Sequence, residues 1–462
     1  MIQRLFNPET ASEKKKLIFF HVLLGIVSTL SNIFLIIWFY AILILGLRQI
    51  SAQSNQEKRL ITLFYLILYV APLEMAGRMV GCSPFIPYEL GKYLSFFLFM
   101  WGISMLNFSN KLGYFVILLT LPGIILGWPK APDYRYIIFN VMGIVNFGLG
   151  IAFFGGLRLK KFKIDIYKGI LFMIYPLVVS LIYAFLKTPS YDNMEFELGA
   201  NFEASGGFGS NQVSTAFGLG LFLVFFLWFQ NFLVTGFSRL LDIGLAALFL
   251  FQGLLTFSRG GIIGGGIAIL ILLFNQNKSR LQKALALKIR VRLFFFGLPI
   301  LILVMTVANN LTDGNLLLRY QGETTGTLLG VKEKSLNSIS TGRFNIFLGD
   351  LEIFSKYPIL GVGVNESRNY RNYHQGVVAH VELSRLLSEH GILGVLIFSV
   401  FLWSLFAGLS KNSINPIYFL FAVIGLYTTF HAATRTFLSP LFMALAFLPT
   451  KTIMFDKVKI NK

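Results

Sequence analysis

The chain has 462 residues, 55% of them hydrophobic and 13% charged, with 40 Lys+Arg against 21 Asp+Glu and a net charge of +19. A globular domain carries about 25% charged residues. With a mean hydropathy of +0.69, this composition excludes a soluble enzyme, a nucleic-acid binder and a disordered scaffold, and describes a chain folded in lipid. The basic excess then reads as Lys and Arg gathered in cytoplasmic loops. The single cysteine, Cys82, permits no internal disulfide and no thiolate metal site.

Lys14, Lys15 and Lys16 precede an apolar run from Leu17 to Leu47. At about 31 residues the run exceeds a secretory h-region of about 7–15 and the roughly 20 that span a bilayer. It predicts one tilted helix, or two short ones hinged near Ser28–Asn32. Further apolar runs follow at 60–80, 92–108, 113–128, 134–157, 166–187, 212–233, 237–256, 260–275, 291–309, 382–409, 416–431 and 436–450. The expected fold is an all-α polytopic membrane protein with about 12–14 transmembrane helices.

Loop charges orient it. The segment 158–168 holds Arg158, Lys160, Lys161, Lys163 and Lys168, and 276–292 holds Lys278, Arg280, Lys283, Lys288, Arg290 and Arg292. Both are expected in the cytoplasm, with the two termini, the last of which carries Lys451, Lys457, Lys459 and Lys462. The segment 188–211 has no Lys or Arg and faces outward. Parity then favours 14 spans, or 12 if early runs merge, and places a long mixed-polarity segment, 310–380, outside. A structureless loop of that length is rare, so short helices are expected, one including Asp350 to Ser355 and stopped near Pro358. The chain divides into a transmembrane bundle (1–309), this large loop (310–380) and C-terminal transmembrane helices (381–462).

Ionisable residues in or at the edge of spans are costly and hence functional candidates. The first lies in Thr256-Phe-Ser-Arg-Gly-Gly261. Ser258 would cap a helix beginning at Arg259, leaving free N–H groups beside a guanidinium, while Gly260 and Gly261 let a phosphate approach the backbone. An interfacial Arg snorkelling from a Gly-rich packing helix explains the same residues equally well. The second is Arg343, in Thr341-Gly-Arg-Phe-Asn-Ile-Phe347, which would start a short amphipathic helix ahead of a tight exit from Pro358 to Gly363. Taken alone, Arg343 also fits a solvated loop charge.

The third is His380-Val-Glu-Leu-Ser-Arg-Leu-Leu-Ser-Glu-His-Gly-Ile-Leu-Gly394, where the chain re-enters the membrane. Arg385 and Glu389 pair at i,i+4. His380 has only Ser384 at i+4 and carries an imidazole able to take a proton near neutrality. Of the other histidines, His21 lies near the cytoplasmic side, His390 is ten residues further on, and His374 and His431 lie outside the motif, although either of these two could line the cavity. The fourth place is Glu74 with Arg78, an i,i+4 pair expected to fix helix packing.

Together these pieces resemble the O-antigen ligase and Wzy-type O-antigen polymerase superfamily of bacterial membrane glycosyltransferases. The resemblance covers roughly 200–400. It is carried by Gly206-Gly-Phe-Gly-Ser-Asn211-Gln before a span, Ser258-Arg259-Gly260-Gly261, Gly342-Arg343 with Pro358-Ile-Leu-Gly-Val-Gly363, and His380 with Glu389, Gly391 and Gly394. It implies a metal-independent, cofactor-free, inverting transfer of a glycan from undecaprenyl diphosphate to a sugar hydroxyl, on the periplasmic face of the bacterial inner membrane. Arg259 and Arg343 would bind the diphosphate, in one shared cavity, and His380 would be the general base. Ser258, Gly260, Gly261, Arg368, Arg371 and Glu389 would help, although Arg368 and Arg371 also suit a plain surface role.

Ligases of this group follow the His with Asn, Ser or Gln, then nine residues, then Gly-x-x-Gly. Here Val381 takes the polar position, while the nine residues 382–390 and Gly391-Ile-Leu-Gly394 are kept. This favours polymerisation of surface-polysaccharide repeat units over ligation to lipid A core. A secondary transporter or flippase is the alternative of another class. It would show two halves with corresponding broken helices, and no such halves are evident.

Overall fold

The computed structural model describes residues 10–189, 198–233, 236–274, 287, 291, 293–373 and 375–454. The basic loop expected at 276–292 (residues 287 and 291 apart), the acidic residues Asp192, Glu195 and Glu197, the C-terminal lysines Lys457, Lys459 and Lys462, and His374 lie outside the described residues.

The first apolar run breaks at its predicted hinge. Helix α1 (Ala11–Leu30) ends at the extended Ser31, and α2 (Ile33–Ala52) begins two residues later. Thr10 caps α1 by accepting from the Glu13 amide, a side-chain oxygen meeting one of the unpaired donors of a first turn. Next come α3 (Gln56–Met79), α4 (Leu90–Ser104), α5 (Lys111–Gly127), α6 (Tyr134–Gly156) and α7 (Ile166–Lys187). Asn55, Asn110, Asp133 and Asp165 cap α3, α5, α6 and α7 in the same way. Then follow α8 (Ser210–Phe229), α9 (Gly236–Leu255), α10 (Arg259–Phe274) and α11 (Leu298–Asn310).

The 310–380 segment is a chain of short helices: α12 (Asn315–Tyr320), α13 (Thr325–Leu328), α14 (Leu336–Ile339), α15 (Arg343–Lys356) and α16 (Ser367–Tyr370). α15 starts at Arg343 and stops before Pro358, as expected. The run at 382–409 is two helices, α17 (Glu382–His390) and α18 (Ile392–Leu409), broken at Gly391. The chain closes with α19 (Ile417–His431) and α20 (Leu438–Leu445). A two-residue parallel pair, β1 (Ile164–Asp165) with β2 (Ile453–Met454), is the strand content of the described residues.

Among the described residues, eight helices are long and apolar enough to cross a membrane: α2, α3, α6 to α9, α18, and α5 continued to Lys130. Three more, α10, α11 and α19, are apolar but shorter. The chain is an all-α polytopic membrane protein. The expected count of 12–14 draws in these shorter helices, with α1 and α4.

Two compact units make up the chain. One comprises 1–98, 158–317 and 450–462. Within it α7 is largely enclosed, packed against α1, α3 and α8, and α8 packs closely on α10. Lipid supplies no hydrophobic drive between helices, so close packing depends on small residues. A Cβ at Gly261 would collide with the Ser214 and Thr215 backbone. The other unit comprises 99–157 and 318–449. There α5 and α6 pack together, α20 packs on α6 and α19, and α17 packs on α15 and α18.

Candidate active site

In the first unit the Gly206–Gln212 motif and the Ser258-Arg259 motif are bound to each other. The Ser258 hydroxyl donates to Asn211 Oδ1 at 2.8 Å, and Ser214 Oγ donates to the Ser258 carbonyl at 2.5 Å. With Phe257 held at φ +56°, these bonds fix the start of α10, where Arg259 is half-buried. Gln212 in turn accepts from Arg78 Nη1 at 2.7 Å. Arg78 makes the expected buried pair with Glu74, at 2.5 Å, and stacks on the Tyr88 ring. The pair therefore does more than fix helix packing, because it reaches the motif that braces Arg259.

The second unit brings Arg343 and His380 together. Arg343 is the first residue of α15, after Gly342 at φ +83°. Its Nη1 contacts His431 Nδ1 at 3.2 Å and the His431 carbonyl at 3.4 Å. His380 stands two residues before α17, with Val381 at the N-cap. Burial, then the charges of Arg435, Arg343, His431 and Arg371, depress the His380 pKa from 6.5 to about 3. Desolvation and neighbouring cations both disfavour the imidazolium, so His380 is neutral at physiological pH.

Beneath this cluster lies a buried ionic frame. Arg371 pairs with Asp350 at 2.7 Å, both side chains fully enclosed. Arg371 Nη1 also donates to the Val377 carbonyl at 2.6 Å, three residues before His380. Asp350 accepts from Ser384 at 2.7 Å. Glu382 accepts from Arg385 and from the Thr434 amide and hydroxyl, at 3.1 and 3.0 Å. The predicted Arg385–Glu389 pair forms at 3.3 Å. Glu389 is buried and also accepts from Ser367. Arg371 is 2% exposed, so the surface reading does not hold for it. Arg368 is half-buried with its guanidinium over the Tyr136 ring at 5.1 Å.

The remaining motif residues explain the helix break. The Pro358–Gly363 segment clasps the α17–α18 joint: Val362 and Gly363 donate to Ser388 and Glu389 carbonyls at 2.9 and 3.1 Å, and Ile392 donates to Pro358 at 2.8 Å. Gly391 sits at φ +60° and ψ −136°, a region essentially restricted to glycine. A Cβ there would lie 2.6 Å from the Ile359 and Pro358 backbone.

His431, expected as a histidine that could line the cavity from outside the motif, belongs to this cluster, and so does Arg435, which sequence reasoning missed. They sit at the end of α19 and in the turn after it, in a stretch that reads as the boundary between two apolar runs. The signal available was an Arg four residues after a His at a span end, a pairing too common to single out.

No curated protein and no solved structure gives a significant match. A family model does match, over residues 243–399, and its description is O-Antigen ligase. The matched range holds Arg259, Arg343 and His380, together with the clasp and the Gly391 break. Residues 243–399 are thus similar to the O-antigen ligase family, in support of the resemblance to the O-antigen ligase and Wzy-type superfamily.

Proposed function

We propose that the protein transfers a glycan from undecaprenyl diphosphate to a sugar hydroxyl on the periplasmic face of the bacterial inner membrane, and that the reaction extends a surface polysaccharide by repeat units. The observation that carries the reading is a neutral, half-buried His380 set among cationic side chains within a glycan-assembly family domain. An imidazole kept unprotonated beside guanidiniums suits one group that accepts a proton and others that hold an anion.

In this mechanism Arg343 and Arg259 hold the diphosphate, each by the bidentate geometry a guanidinium offers to phosphate oxygens. The acceptor hydroxyl attacks the anomeric carbon, the bond from that carbon to the diphosphate oxygen breaks, and the configuration inverts. His380 takes the hydroxyl proton, and undecaprenyl diphosphate leaves with the bonding electrons. The leaving group starts as a dianion-like diphosphate, so charge stabilisation does much of the work, and a general base adds typically 10²–10⁴-fold. Arg371 acts through its hold on Val377, setting the backbone that presents His380. Glu389 anchors Arg385 and Ser367.

The test is product formation from purified lipid-linked donor with two acceptors in parallel, a second lipid-linked repeat and a lipid A core. His380→Ala is expected to lower turnover by at least about a hundredfold with folding and donor binding kept. Retention of activity within about tenfold removes His380 from the base role. Arg259→Gln and Arg343→Gln are expected to raise the donor KM. Transfer to core and not to the lipid-linked repeat makes the protein a ligase, the activity in the family description.

A further inference from the structure

The guanidiniums near His380 are not equivalent. Arg371 is neutralised by Asp350, and Arg385 by Glu382 and Glu389. Arg435 differs: among the described residues no carboxylate lies within ion-pairing distance of it, and its one side-chain hydrogen bond runs from Nη2 to the Ala379 carbonyl. That carbonyl belongs to the residue immediately before His380. Nη2 spends one of its two hydrogens there, and Nε, Nη1 and the second Nη2 hydrogen have no protein acceptor among the described residues, leaving one two-donor edge of the fork, Nη2 with either Nε or Nη1, for an oxyanion.

The turn that carries Arg435 is rigid. Ala433 is held at φ +52°, and its carbonyl accepts from Ser439 at 2.9 Å. Thr434 is gripped by Glu382 through both its amide and its hydroxyl. Such fixing lets a long side chain meet a ligand with little ordering cost. Electrostatics point the same way. Burial, with repulsion from Arg385 and Arg343 that Glu382 and Glu389 only partly offset, brings the Arg435 pKa down to about 10, so a bound anion would favour the charged guanidinium.

We propose that Arg435 is a further diphosphate-binding residue, sharing the anion with Arg343 beside His380. The inference rests on the reading that this site takes a lipid diphosphate. Arg435, in the turn after α19, adds a fork to that of Arg343 at the start of α15, and the oxygens of a diphosphate can occupy more such donors than those of a monophosphate. One guanidinium suffices for a monophosphate. Arg435 therefore sets a preference for diphosphate over monophosphate, and its bond to Ala379 couples the bound donor to the backbone of the base.

The experiment measures binding of undecaprenyl diphosphate and undecaprenyl monophosphate to the full-length protein in detergent, with no transfer step. Wild type, Arg435→Gln, Arg435→Lys and Arg343→Gln are compared. The expected result is a loss of diphosphate affinity of about tenfold or more in both Arg435 variants, the scale of losing a charge-assisted bidentate contact. Monophosphate affinity should fall less than about threefold, so the preference collapses. The Arg435→Lys variant keeps a charge and a donor for Ala379 but lacks the fork, so a fully restored preference in that variant overturns the bidentate assignment. Equal losses of both lipids overturn it in favour of a structural role through Ala379, and unchanged binding overturns it outright. Wild type binding neither lipid sinks the parent reading and this inference with it. Wild type that binds with an Arg435-dependent preference yet transfers no glycan sinks only the transfer reading.

Discussion

Arg371→Ala is the most informative perturbation of the frame beneath His380. It strips the guanidinium from the Asp350 carboxylate, in a pair where both side chains are 0% exposed. Breaking such a pair on one side leaves an uncompensated buried charge, which costs about 3–5 kcal/mol. For a body of this size that corresponds to an apparent Tm lowered by on the order of 10 °C. The loss should depend on pH, with a definite sign. Burial already raises the Asp350 carboxyl above its ordinary 3.8, and Arg371 pulls it down. Without Arg371 it rises further. A carboxyl raised in the folded state gives stability that is present at low pH and lost as pH climbs through its folded value. The variant should thus be less impaired relative to wild type at pH 5 than at pH 8. Adding Asp350→Asn should recover part of the loss and abolish its pH dependence. Thermal unfolding in detergent at both pH values, with all four members of the cycle, measures this. A deficit equal at pH 5 and pH 8, or one below about 1 kcal/mol, would refute the reasoning.

The acid limb of kcat/KM should lie well below pH 6.5, because His380 stays neutral down to about 3 in the free protein; a limb at 6.5 would mean the base is another group. Donor binding adds negative charge near the cations and raises the imidazole pKa, so the acid limb of kcat should lie above that of kcat/KM in the same pH series. Gly391→Ala should destabilise by about 1–3 kcal/mol from backbone conformation alone, and by more through collision with Ile359 and Pro358. Loss of transfer with unchanged thermal stability would contradict that account.

The features legible in the sequence were those written locally. Arg343 at a helix start, the stop before Pro358, and Arg385 with Glu389 all follow from spacing within a turn or two. The hinge after Ser28 was marked by polar residues in an apolar run. Contacts across long separations left no such trace. Asp350 and Arg371 are 21 residues apart, and Glu382 meets Thr434 52 residues away. The run at 382–409 hid its break because the residues after Gly391 remain apolar, so only the glycine signals it. The run at 436–450 reads as a span, yet α20 is 8 residues long. Hydropathy counts apolar residues and does not register where the helix stops.

The clasp of 358–363 on the α17–α18 joint has a consequence for how such a chain can diversify. One end of the segment 363–380 is pinned by Gly363 on the Glu389 carbonyl, and the other continues into α17, the helix that carries Glu389. The segment is therefore a closed loop whose two mouths share one anchor. Closing a loop twice as long costs only about 0.6 kcal/mol more. Residues can thus be added or exchanged at its exposed tip, where Asn372 and Tyr373 now sit, without shifting His380 or the broken helix behind it. A frame of this kind can be inherited unchanged while the loop it holds is rewritten.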